Sequence, residues 1–215
     1  MPAEVKICGL STPETVDAAV AAGADFIGLV FFPKSPRNVS LEQAAALADR
    51  ARGRAKIVAL VVDADDALLR AIAETVRPDF IQAHGAETPE RVEAIERLTG
   101  RPVIKAIRVK DEADIAAATG FSKAASLILY DAKAPETLGN ALPGGNGHAF
   151  DWGLLEGERR PAFMLAGGLN PENVAEAIRV TGAPIVDVSS GVESAPGIKD
   201  LGLIRKFIEA AKRAS

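Results

Sequence analysis

The chain has 215 residues, 48% of them hydrophobic and 25% charged, with a formal net charge of −4 at pH 7. That balance excludes a disordered or fibrous chain, and the acidic charge without any Lys/Arg run argues against nucleic acid as a partner. A single cysteine excludes an internal disulfide and fits a reducing, cytoplasmic compartment; no stretch reads as a signal peptide or spans a bilayer, so no membrane partner is expected.

Taken in chain order, eight short apolar runs alternate with segments of helical spacing. Val5–Cys8 comes first, and Thr12-Pro13-Glu14 then signals a helix start: a capping hydroxyl, a proline at the first helical position, and an acid facing the positive helix end. Val16, Ala19 and Val20 give that helix its apolar face. The runs Phe26–Phe31, Lys56–Val62 and Phe80–Gln82 follow, with Leu68, Leu69, Ile72 and Val76 spaced as a helix before the last of them. Thr88-Pro89-Glu90 opens the next helix, carrying Val92, Ile95 and Leu98. Val103–Val109, Ser126–Tyr130, Ala162–Ala166 and Ile185–Val188 complete the strands. Asn170-Pro171-Glu172 marks a third start of the same kind, and Leu203, Ile204, Phe207 and Ile208 form the closing helix. Gly23, Gly53, Gly100, Gly120 and Gly182 stand where left-handed residues would end helices.

The runs are continuous rather than alternating, as in parallel strands covered by helices. Eight such units in order predict an α/β fold, an eight-fold β/α (TIM-type) barrel forming a single domain over 1–215. The segment from Asp131 to Asp151 is Pro- and Gly-rich and reads as loop rather than helix.

In such barrels function gathers at the C-terminal strand ends. Cys8 ends the first strand, as a base or nucleophile or as a small buried residue. Arg37 follows the second, able to form a bidentate pair with a ligand carboxylate or phosphate, or simply solvated. His84 follows the fourth, with acid–base and rim-packing roles both open. Asp131 ends the sixth, as a proton-transfer group or a turn cap. Gly167-Gly168 after the seventh strand and Ser189-Ser190-Gly191 after the eighth favour phosphate: small residues let backbone N–H groups reach an anion where barrels commonly bind one. The residues alone thus indicate a phosphate-binding barrel with Cys, Asp and Arg on its rim.

These segments, in this order, resemble the phosphoribosylanthranilate isomerases of tryptophan biosynthesis. The matching stretches are Lys6-Ile7-Cys8-Gly9, Gly28-Leu29-Val30-Phe31 with Ser35-Pro36-Arg37, Gln82 with His84-Gly85, and Asp131. They continue with Gly144-Gly145, Gly147, Phe150-Asp151-Trp152, Ala166 to Val174, Asp187 to Glu193, Pro196-Gly197 and Lys199-Asp200. Ala83, Ala132, Asn146 and His148 depart from the family pattern. The resemblance implies an Amadori rearrangement of a phosphorylated aminoaldose, with Asp131 as general acid and Cys8 as general base. It also implies Arg37 on the anthranilate carboxylate, Asp187 near the aromatic amine, and Gly167, Gly168, Ser189, Ser190 and Gly191 on the phosphate. The iminium formed on ring opening acidifies the adjacent carbon, so neither metal nor organic cofactor is expected. The partner is then a phosphorylated small molecule, and the chain a monomer or homodimer.

Two other readings compete. An indole-glycerol phosphate synthase would need a catalytic lysine, for which Lys105 is the candidate, and a histidine-pathway isomerase would carry an aspartate where Cys8 stands. A non-catalytic barrel would have lost a reactive side chain, yet Cys8 and Asp131 are both present.

Overall fold

The computed structural model describes residues 2–132, 150–155 and 162–214. Eight parallel strands close into a barrel in chain order, each hydrogen-bonded to its sequence neighbours and the last to the first. They are β1 (Glu4–Cys8), β2 (Phe26–Phe31), β3 (Lys56–Val61), β4 (Phe80–Ala83), β5 (Val103–Val109), β6 (Leu127–Ala132), β7 (Phe163–Leu165) and β8 (Ile185–Val188). The helices are α1 (Pro13–Ala21), α2 (Leu41–Ala51), α3 (Asp66–Thr75), α4 (Pro89–Thr99), α5 (Glu112–Ala117), α6 (Val174–Thr181) and α7 (Leu201–Arg213). After β8 a short turn leads into a two-stranded hairpin, β9 (Glu193–Ala195) with β10 (Ile198–Lys199), before α7.

The helix starts follow from their caps. Thr12 and Thr88 accept from the backbone N–H three residues on, each with proline at the start of its helix. Asn170 does not cap a helix at Pro171. Its side chain accepts from the N–H groups of Glu172 and Asn173, while the Asn173 side chain accepts from the N–H of Asn170. This reciprocal pair holds a turn over 171–173, and α6 begins at Val174. Gly100 and Gly182 end α4 and α6 in the left-handed region, as expected. Gly120 does not end a helix; it sits inside the 3-10 turn Ala118–Phe121 that continues α5. Between β6 and β7 the described residues hold one 3-10 turn, Trp152–Leu155. Residues 133–149 and 156–161 of that connection, and with them Gly144, Gly145, Asn146, Gly147 and His148, lie outside the described residues.

Two apolar layers result. The outer one joins strand residues such as Val5, Ile7 and Val186 to helix residues such as Val16, Leu69, Ile95 and Phe207. The α7 stripe, Ile204, Phe207, Ile208 and Ala211, is buried at the three- and four-residue spacing that seats a helix on a sheet. The inner one fills the barrel with Phe26, Val58, Ile104, Ala106, Leu129, Met164, Ala166 and Ile185. Above that plug, towards the C-terminal strand ends, the interior turns polar.

Candidate active site

Residues paired across neighbouring parallel strands point to the same side of the sheet. The register links Lys6 with Phe26 and Asp187, Cys8 with Gly28, Gln82 with Ile104, Ala106 with Leu129, and Arg108 with Asp131. Phe26, Ile104, Ala106 and Leu129 belong to the inner layer. Lys6, Cys8, Gln82, Asp131 and Asp187 therefore face the barrel interior, all of them buried.

On the β1–β8 side, the ammonium of Lys6 donates to Asp187 Oδ1 at 3.0 Å with Lys6 wholly excluded from solvent. Cys8 lies over Gly28, where a Cβ would come 2.8 Å from its Sγ; a side chain at position 28 would displace the thiol. Burial pushes the Cys8 thiol above its ordinary value, opposed by the positive charges of Lys6 and Lys199 and reinforced by the negative charge of Asp187. Burial also works against the charge on Lys6, but Asp187 and Cys8 more than make up for it and hold its pKa above the usual lysine value.

Next to this group Arg37 is buried against Glu193. Nε donates to Glu193 Oε1 at 2.7 Å and Nη2 to Oε2 at 2.8 Å, a bidentate pair. Lys199 donates to the same Oε1 at 2.7 Å and to the Ser189 carbonyl at 2.8 Å, and Ser189 Oγ donates to the Cys8 carbonyl at 3.1 Å. The loops after β1, β2 and β8 are thereby tied together at the rim. Burial raises the Glu193 pKa and the two cations more than reverse that, leaving it below the ordinary carboxylate value.

Across the barrel, His84 Nε2 lies 3.2 Å from Asp131 Oδ2, and His84 Nδ1 lies 2.9 Å from Gln82 Nε2. With the Gln82 amide donating to Nδ1, Nε2 carries the ring hydrogen and donates to Asp131. The Gln82 Oε1 is buried and has no partner among the described residues. Lys105 is not part of this interior. It alternates with the inward Ile104 and Ala106, faces the helices, and donates to Glu87 Oε2 and the Gly85 carbonyl, each at 2.8 Å. That placement removes the lysine a synthase reading would need.

The two glycine-bearing loops meet. A Cβ on Gly191 would collide with the Leu169 carbonyl, and one on Gly167 with the backbone N–H of Ala132, next to Asp131. Gly167 and Gly168 both hold positive φ, 89° and 64°, and Asn173 braces their loop by donating to the Gly168 carbonyl at 3.0 Å. Among the described residues, no acceptor engages the backbone N–H of Gly167 or Gly168. Nor does any group of three His, Cys, Asp or Glu side chains there form a metal cage.

Cys8, Arg37, His84, Asp131, Asp187 and the Gly167 and Ser189 loops thus lie at the C-terminal end of the barrel, while Lys105 does not join them. Cys8 and Asp187 share one cluster, Arg37 and Ser189 adjoin it, and Asp131 and His84 form another beside the Gly167 loop. Lys6, Gln82, Glu193 and Lys199 carry the polar network without having been assigned roles. A lysine inside a fully buried strand was the available signal for Lys6, since such a charge persists only when paired.

The family model for N-(5′-phosphoribosyl)anthranilate (PRA) isomerase matches residues 5–210. The N-(5′-phosphoribosyl)anthranilate isomerase of Parvibaculum lavamentivorans is 54% identical over 215 residues, covering all of both chains. The crystal structure of phosphoribosyl anthranilate isomerase from Thermotoga maritima superimposes with a TM-score of 0.86 at 37% identity, over 98% of this chain and 99% of that one. A crystal structure of a phosphoribosyl anthranilate isomerase in complex with reduced 1-(o-carboxyphenylamino)-1-deoxyribulose 5-phosphate matches with a TM-score of 0.84 at 35% identity, with the same coverage.

Proposed function

The chain belongs to the N-(5′-phosphoribosyl)anthranilate isomerase family, and we propose that the rim described above carries out that reaction with Asp131 as general acid and Cys8 as general base. The enzyme is an isomerase of tryptophan biosynthesis. It converts N-(5-phosphoribosyl)anthranilate to 1-(2-carboxyphenylamino)-1-deoxyribulose 5-phosphate by an Amadori rearrangement. The whole chain, 1–215, works as one catalytic domain, as a monomer or a homodimer.

Asp131 gives its proton to the furanose ring oxygen as the ring opens to an iminium, and is left as a carboxylate. The Cys8 thiolate then removes the C2′ proton, whose acidity the iminium has raised, and the enolamine collapses to the aminoketose. Both steps are proton transfers by positioned side chains. His84 suits Asp131 in either state: its Nε2–H donates to the carboxylate, and a protonated Asp131 can donate to Nε2 if Gln82 turns its orphaned Oε1 to accept from Nδ1–H. Arg37 receives the anthranilate carboxylate, and Asp187, held by Lys6, faces the aromatic amine. The backbone N–H groups of Gly167 and Gly168, with the Ser189-Ser190-Gly191 turn, receive the phosphate.

The observation that carries this reading is the convergence of an inward thiol, an inward carboxylate and two abutting glycine loops on one end of the barrel. The test is growth rescue of a tryptophan auxotroph lacking this isomerase. Wild type should restore growth and Cys8→Ala should not; rescue that survives Cys8→Ala sinks the base assignment.

A further inference from the structure

Glu193 has no part in the proton transfers, yet both of its carboxylate oxygens are engaged at the rim. It accepts from Arg37 Nε and Nη2, from Lys199 Nζ, and from the backbone N–H of Gly197 at 3.2 Å. We propose that Glu193 is a positioning residue that gives the site its preference for a substrate carboxylate, by gripping Arg37 along one edge and turning its remaining N–H groups to the ligand. This rests on the reading that Arg37 receives the anthranilate carboxylate, and it goes beyond it by assigning the selectivity to a residue that does not touch substrate.

Three observations carry it. First, the guanidinium is planar and rigid, so fixing Nε and Nη2 fixes where Nη1 points. An arginine held only by its flexible stem would have to be ordered by the ligand, at an entropic cost to binding. Second, Glu193 does not cancel the charge it holds. Lys199 shares its Oε1, so two buried cations face one carboxylate and a positive charge is left over. A buried excess charge is unfavourable until a counter-charge arrives, which an anionic substituent supplies. Third, the placement is rigid and close to the reacting centre. The Arg37 stem crosses Gly9, where a Cβ would stand 2.6 Å from Arg37 Cδ, and Gly9 follows Cys8. Glu193 begins the β9–β10 hairpin, which packs on the Arg37 loop: a Cβ on Gly197 would lie 2.7 Å from the Pro36 carbonyl.

The test is calorimetric binding of two ligands: reduced 1-(o-carboxyphenylamino)-1-deoxyribulose 5-phosphate, and the same compound without its carboxylate. Wild type should prefer the first. Glu193→Gln, which keeps the shape but not the charge, should shrink that preference by about tenfold or more while changing affinity for the carboxylate-free ligand much less. Glu193→Asp, with the charge but a shorter arm, should lose the bidentate grip and shrink the preference as well, and it serves if the Gln variant does not fold. A wild-type preference in the folded variant overturns the assignment. Arg37→Ala separates the two levels. If it keeps the preference, the carboxylate reading of Arg37 itself is wrong; if it loses the preference and the Glu193 variants do not, only the positioning role fails.

Discussion

Replacing Lys6 with methionine removes one partner of a buried ion pair and little volume. The Lys6 ammonium is fully excluded from solvent and sits 3.0 Å from Asp187, whose side chain is 8% exposed. Removing one member of such a pair strands the other charge in a low-dielectric interior, which costs about 3–5 kcal/mol. For a domain of this size each kcal/mol moves the melting temperature by roughly 2–4 °C, so Lys6→Met should melt about 6–20 °C below wild type. Lys6→Met/Asp187→Asn, which strands no charge, should recover most of that loss. The chemical consequence has a definite sign. Lys6 pulls the Cys8 thiol pKa down against burial; without it the pKa climbs further and less thiolate is present at any given pH. Iodoacetamide should therefore modify the variant more slowly than wild type at pH 8. Thermal unfolding followed by circular dichroism, with alkylation followed by mass spectrometry, measures both effects. A Lys6→Met protein melting within about 2 °C of wild type and alkylated at the same rate would show that Lys6 neither holds Asp187 nor tunes Cys8.

Other outcomes follow from the same geometry. Because Cys8 is the single cysteine and burial raises its pKa, alkylation should be slow at neutral pH. It should keep accelerating as pH rises past the ordinary thiol value of about 8.5, with activity lost in step with the single modification and bound product slowing it; full alkylation without loss of activity would reduce Cys8 to packing. Gly191→Ala should force the loops after β7 and β8 apart, raising KM for the phosphorylated substrate about tenfold or more while the fold survives; an unchanged KM would dissociate those loops from the phosphate. Crystals grown in sulfate should show the anion at the Gly167–Gly168 and Ser189–Gly191 loops, and an ordered sulfate elsewhere on the rim, with none there, would move the site.

The barrel was legible because parallel strands buried on both faces read as continuous apolar runs. β2, β5 and β8 match their runs end to end, and the other strand ends shift by one or two residues. Local signals misled where side chains had a nearer partner. Asn170 looked like a helix cap, but Asn173 three residues on closes a turn with it and delays α6 to Val174. The candidate site was legible as positions along the chain but not as partnerships. Lys6 finds Asp187 and Arg37 finds Glu193 across 181 and 156 residues, respectively, distances over which no local pattern operates. His84 read as a hydrogen-bonded rim residue ahead of an acid–base group, and its ring joins Gln82 to Asp131.

The proposed reaction needs two separate proton transfers, by Asp131 and by Cys8, and Asp131→Asn tests them most directly. The amide keeps the shape beside His84 but has no proton to give the ring oxygen. Steady-state turnover of N-(5-phosphoribosyl)anthranilate, measured alongside calorimetric binding of the reduced product, should show kcat nearly abolished with ligand affinity retained and Cys8 still alkylated at close to the wild-type rate. A variant that keeps most of its kcat would contradict the mechanism and remove Asp131 from it.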